Sequence, residues 1–129
     1  MPIEYDLLPD VIWFRTVGDV DYDNGFEVLE SAAREARKQN LPRKRPAVFD
    51  IRESRERRKA GELRAIAHFV SVRKDVFEPR CAVVTSDDLH FGLARMFAAF
   101  AASHDVKVTV LRHIDEVPGW LAATPDDPS

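Results

Sequence analysis

The residues that could do chemistry in this chain of 129 residues sit where short apolar runs end. Asp50 and Arg52 close the run Ala47-Val48-Phe49-Asp50-Ile51, and Ser54 follows shortly after. Thr85 and Ser86 close Cys81-Ala82-Val83-Val84. Arg112 and His113 follow the run from Val106 to Leu111, and Gly18 and Asp19 follow Val11 to Val17. If these runs are parallel strands, their carboxyl ends share one edge, where loops and helix N-termini converge and ligands bind. An edge with hydroxyls and charges of both signs can hold a small ligand or a protein partner. The same residue types also serve as ordinary caps and loops.

Arg95 stands apart. It is the only formally charged residue from Leu89 to Ser103, and Phe91, Gly92 and Ala99 share its helical face. A glycine inside a helix costs roughly 1 kcal/mol relative to alanine, a cost that a close backbone approach would offset. The guanidinium is expected to pair with a carboxylate, Asp50 first, or to hold an anion, because burying either charge alone is unfavourable. A buried pair would make Arg95→Ala cost roughly 3–5 kcal/mol. The candidate binding set is thus Asp50, Arg52, Ser54, Ser86, Phe91 and Arg95.

Between Arg43 and Lys59 there are eight Lys/Arg against three acids, a local net of +5 in a chain whose overall formal charge is −3. Such asymmetry attracts an acidic partner, a phosphate or a membrane surface, and it also describes a solvated loop. No aromatic residues interleave with these cations as they do where single-stranded bases stack, so nucleic acid is not favoured. The five glycines spell neither a dinucleotide fingerprint nor a P-loop. His68, His90, His104 and His113 lack metal-ligand spacing. No serine lies in a Gly-x-Ser-x-Gly elbow. Cys81 begins a buried run and reads as a core thiol, and Trp13 and Trp120 read as core residues. No catalytic residue, metal or cofactor is expected.

The elements that must position these residues follow from periodicity. Ile3 to Leu8 reads as a first strand, Pro9-Asp10 as a turn, and Val11 to Val17 as a second strand antiparallel to the first. Tyr22, Phe26, Leu29, Ala33 and Ala36 are spaced 4, 3, 4 and 3 residues apart, on one face of a helix. Asp21 should cap that helix, and Asn40 and Pro42 should stop it. Ala47 to Ile51 is a third strand, followed by a charged loop from Arg52 to Lys59. A second helix from Ala60 to Arg73 turns Leu63, Ile66, Phe69 and Val70 inward. Cys81 to Thr85 is a fourth strand, Asp87 caps a third helix from Asp88 to Ser103, and Val106 to Leu111 is a fifth strand. Asp115 should cap a short last helix through Trp120 and Leu121. The order ββαβαβαβα predicts an α/β fold: a small, mostly parallel five-stranded sheet with an antiparallel first edge strand, covered by four helices. Residues 1–123 form one domain, and residues 124–129 should fray.

The third helix is apolar almost all round. One side must meet the sheet, and the other needs cover from another helix, a ligand or a second copy of the chain. A twofold homodimer is the commonest closed solution. Apolar residues make up 45% and charged residues 32%, as in globular proteins. No apolar run approaches the roughly 18 residues of a membrane span. Met1-Pro2-Ile3-Glu4 lacks the basic and apolar stretches of a secretion signal, and a lone cysteine builds no disulfide framework. A cytoplasmic location is expected.

Three segments in this order carry a family resemblance: Ala47-Val48-Phe49-Asp50-Ile51-Arg52, Ala82-Val83-Val84-Thr85-Ser86-Asp87 and Phe91-Gly92-Leu93-Ala94-Arg95-Met96-Phe97. With Ile114-Asp115-Glu116-Val117-Pro118-Gly119-Trp120-Leu121 near the end, they resemble the SpoIIAA-like branch of the STAS proteins, a bacterial group related in fold to the CRAL-TRIO lipid carriers. The resemblance covers about residues 3–122. It implies a small sheet with helices and a role in regulating protein partners, without catalysis. The anti-anti-sigma members carry a phosphorylated hydroxyl after the third strand. Here Ser54 is the only hydroxyl in that stretch, and its neighbours Glu53 and Arg55 do not match. Ser54 is therefore not expected to be a phosphorylation switch. The expected function is that of a non-enzymatic regulatory or protein-interaction domain. The alternative is a carrier or sensor of a small apolar or amphipathic ligand at the strand-end edge.

Overall fold

A computed structural model describes residues 3–39 and 44–123. These residues form strands β1 (Ile3–Leu7), β2 (Ile12–Gly18), β3 (Arg45–Ser54), β4 (Phe77–Val84) and β5 (Lys107–Leu111). Between them run helices α1 (Tyr22–Gln39), α2 (Ala60–Val72) and α3 (Asp88–Ala102), and a 3-10 turn (Ile114–Glu116) leads into α4 (Val117–Ala122). The helix stop at Asn40 and Pro42 and the tail 124–129 lie outside the described residues.

The five strands stand in the sheet in chain order, β1-β2-β3-β4-β5. β1 pairs antiparallel with β2, and every later pair is parallel. This is the expected sheet, and its order has a consequence. Successive right-handed crossovers that always step the same way place their helices on the same side of the sheet. The main core accordingly joins Leu29 and Ala33 of α1, Leu63 and Phe69 of α2, and Ala94 and Phe97 of α3 to Ile12, Phe14, Ala47 and Val83 of the strands. A smaller core on the opposite face gathers Val11, Val48, Ala82 and Val84 under Val117 of α4, with Trp13 and Trp120 packed at its margin.

Local chemistry sets the boundaries. Asp21 accepts the Asp23 N–H at 3.0 Å and Asp87 accepts the His90 N–H at 2.8 Å, so both act as the expected helix caps. Gly18 ends β2 at φ +70°, a left-handed conformation that glycine adopts without cost. Two strands are longer than their apolar runs. β3 continues through Arg52 and Glu53 because Val17 and Gly18 of β2 still pair with Glu53 and Ser54. β4 starts at Phe77, and Pro79 falls where the β3–β4 register shifts, a position where its missing N–H does no harm. Asp115 does not cap the last helix. It lies inside the 3-10 turn, and α4 begins at Val117 with Pro118 in its first turn. The far end of α4 is held by Arg80, which donates to the carbonyls of Trp120, Ala123 and Leu121 at 3.1–3.4 Å while stacking over the Trp120 ring.

Candidate functional site: an apolar cavity with a polar end

Strand alternation sorts the predicted site residues first. Phe49 and Ile51 face the three large helices and pack against the main core, so Asp50 and Arg52 point to the opposite face, the face of Val48. Asp50 is buried there, and its carboxylate accepts Arg52 Nε at 2.9 Å, Arg52 Nη2 at 3.0 Å and the Arg52 N–H at 3.2 Å. The Asp50 hydrogen bond raises the pKa of the Arg52 guanidinium. With Glu4, Asp6, Trp13 and Arg15 these two residues line a polar depression of about 400 Å³ on that face.

Arg95 therefore does not pair with Asp50. It sits on α3, across the sheet, and its side chain is exposed on the outer surface with no hydrogen bond or ion pair to any described residue. Gly92 is exposed beside it with open space where a Cβ would stand, so no close backbone approach explains the glycine. Met96 on the same surface is 41% exposed. Arg95→Ala is expected to change stability by less than about 0.5 kcal/mol, and Gly92→Ala to stabilise by up to about 1 kcal/mol. Urea unfolding of the two variants checks both values.

Ser86 and Phe91 serve the architecture of the strand ends. Ser86 Oγ donates to the Arg52 carbonyl at 2.7 Å, tying the start of α3 to the end of β3. The Phe91 ring lies under the Arg112 guanidinium at 3.9 Å, and Arg112 pairs with Asp88 at 3.0 Å. Of the predicted set, Asp50 and Arg52 line the polar depression, and Ser54 lines an apolar cavity on the other face of the sheet.

The apolar cavity, of about 130 Å³, lies between the sheet and helices α1, α2 and α3. Its walls are apolar: Phe14, Phe49, Val83, Leu93, Ala94 and Phe97 all contribute. Phe14 and Phe49 stack at 5.2 Å, and Phe97 meets Phe49 edge-on at 6.2 Å. Apart from Thr16 of β2, the polar lining residues Tyr22, Ser54, Glu56, Arg58 and His90 belong to the carboxyl end of β3 with its following segment and to the first turns of α1 and α3. One end of the cavity is thus polar and lies at the carboxyl edge of the sheet, where ligands of open parallel sheets collect.

His90 organises this end. The ring is 7% exposed, and each of its nitrogens faces an acceptor: Nδ1 lies 2.8 Å from an Asp87 carboxylate oxygen and Nε2 lies 2.9 Å from the Glu56 carbonyl. The backbone N–H of His90, and then its ring, hold the Asp87 carboxyl below its usual range. Through His90 the cap of α3 fixes the segment that follows β3. Ser54 Oγ adds a local turn by accepting the Glu56 N–H at 3.3 Å. His90→Ala should cost about 1–3 kcal/mol, because it leaves the Glu56 carbonyl without its partner. A drop in the urea midpoint of that size checks it. Tyr22, on the facing wall, has its phenol pKa raised, chiefly by burial and further by Glu62 and Asp23.

Cys81 lies on the floor of the sheet and takes no part. Burial pushes its thiol up to about 12, which leaves it protonated, as its place in a buried run implied.

No family model matches the sequence, and no curated protein matches it. The structure is similar to the crystal structure of an uncharacterized protein of the DUF3478 family with a SpoIIAA-like fold, from Shewanella loihica PV-4. The two superpose with a TM-score of 0.60 at 19% sequence identity, over 93% of this chain and 92% of that one. The fold is SpoIIAA-like. The resemblance seen in the strand and helix segments of the sequence is thereby matched over nearly the whole chain. In this SpoIIAA-like sheet the cavity is bounded by the three helices that share one face. The hydroxyl that ends the third strand, Ser54, stands at its polar end. No helix of the described residues is long and apolar enough to cross a membrane.

Proposed function

We propose that this SpoIIAA-like domain is a non-enzymatic carrier or sensor that binds a small amphipathic ligand. The apolar cavity with one polar end is the observation that carries the reading. The cavity is partly open, so a ligand can enter it, and its apolar walls gain when a ligand replaces water against them. Polar groups at one end and phenylalanine rings at the other match a molecule with a polar head and a short apolar body. The non-enzymatic part of the reading draws support from the groups at the site. Both nitrogens of His90 are already engaged, the Ser54 hydroxyl has no described base bonded to it, and the thiol of Cys81 is buried and protonated.

The protein-interaction reading is favoured by a separate observation. Arg55, Arg57 and Lys59 are exposed on the segment that forms the polar end. A partner that reads this basic segment would sense whether the cavity is occupied. Native mass spectrometry of the protein taken from its own cells tests the proposal. A small molecule that leaves on denaturation is the expected result. Protein with no bound molecule, recovered together with a protein partner, would make the domain an interaction module alone.

A further inference from the structure

We infer that the ligand is an anion, a small aryl or short-chain carboxylate whose acid group meets Arg58. This rests on the ligand-binding reading above and adds the chemical class. Arg58 is half-buried at the polar end of the cavity. Its guanidinium carbon lies 5.6 Å from the centre of the Tyr22 ring, and Nη2 lies 3.3 Å from where a Cβ would stand on Gly25. The side chain is therefore laid against the first turns of α1. Arg15, Arg37, Arg52, Arg80 and Arg112 each pair with a carboxylate. Arg58 has no hydrogen bond or ion pair with any described residue. A half-buried cation at the positive end of a helix gains from an added anion, beyond Asp21 and Asp23 that already stand at the start of α1.

A carboxylate matches the planar fork of a guanidinium and can accept two parallel bonds from it. The hydroxyls of Tyr22 and Ser54 line the same end and are donors for a carboxylate oxygen. Three carboxylates oppose an anion: Glu56 lines this end, and Glu62 and Asp23 act on Tyr22 there, against the cations Arg55, Arg57, Arg58 and Lys59 on the same segment. Size sets the apolar part. A cavity of about 150 Å³ lined by aliphatic and aromatic residues holds one benzene, and the volume here is about 130 Å³. One ring, or a chain of about six carbons, fills it.

The test titrates the full chain, isotope-labelled for NMR, with three probes of one shape: phenylacetate, its neutral amide phenylacetamide, and the cation phenethylamine. Phenylacetate is expected to bind at least about tenfold more tightly than the amide, a difference of about 1.4 kcal/mol. In Arg58→Gln the acid should fall to the affinity of the amide. The amide's own affinity should not change, which also shows that the variant is folded. Equal affinity of acid and amide in the unsubstituted chain would overturn the anion inference and leave the cavity reading standing. Tightest binding by the amine would overturn it in favour of Glu56. Binding by none of the three would overturn both readings.

Discussion

An Ala94→Leu variant is expected to unfold at a higher temperature than the unsubstituted chain and to take up no small ligand. Ala94 is buried on α3, and its side chain borders the cavity. Leucine adds three carbons at that point. Each buried methylene contributes about 0.8 kcal/mol, so a side chain that enters the void without strain stabilises by up to about 2 kcal/mol. Leucine is also nearly as good a helix former as alanine. The same carbons occupy the space a ligand needs. Thermal unfolding with and without phenylacetamide reads both effects. A raised midpoint that the probe no longer moves is the expected pair of results. A lowered midpoint would mean that the void is already closed in solution and that the leucine overpacks the core.

Phe97→Ala should have the opposite effect on stability and a larger one. Phe97 is 5% exposed and meets Phe49 edge-on, so truncation removes a buried ring and merges its volume with the existing cavity. Buried Phe→Ala changes cost about 3–5 kcal/mol. That is a large share of the roughly 5–15 kcal/mol that holds a domain folded. The urea midpoint should fall with little change in the slope. Because the enlarged cavity accepts a bulkier apolar group, a naphthyl acid should restore part of the loss by mass action. A loss below about 1 kcal/mol would show that Phe97 does not wall the cavity.

Much of this fold was legible in the sequence because each element carries its own signal. The 4-3-4-3 spacing from Tyr22 gave α1, and the cap residues Asp21 and Asp87 marked true helix starts. Elements whose signal is masked were shortened. Charged Arg52 and Glu53 hide the end of β3, and Pro79 hides the beginning of β4, because pairing with a neighbouring strand rather than composition keeps them extended. The expected Arg95–Asp50 pair failed for a reason that the sequence contained. Residues two apart on a strand share a face, so Val48, Asp50 and Arg52 form one row and Phe49 and Ile51 the other. Only the chain-order sheet, with α1, α2 and α3 on one side, reveals which row faces Arg95's helix.

The candidate site was legible only in part. Ser54 is legible because it lies at the carboxyl end of a strand. Tyr22, Glu56, Arg58 and His90 come from different elements, and no spacing links them. His90 carried one usable signal, its place three residues after a capping aspartate, where a ring can return to the cap. The cavity itself has no signature in the chain. It is a shortfall of side-chain volume among residues that otherwise read as ordinary core, and it appears only when the helices are set on the sheet.

The most direct measurement is a methyl-NMR titration of the full chain with benzyl alcohol, a neutral probe about the size of the cavity. Saturable shifts are expected at the methyl groups of Leu29, Ile51, Leu63, Ile66, Val83 and Leu93, which line the cavity. The methyl groups of Val11, Val48, Val84 and Val117, in the core on the other face of the sheet, should stay in place. Shifts spread evenly over both faces, or absent from the first group, would contradict a ligand site between the sheet and its three helices.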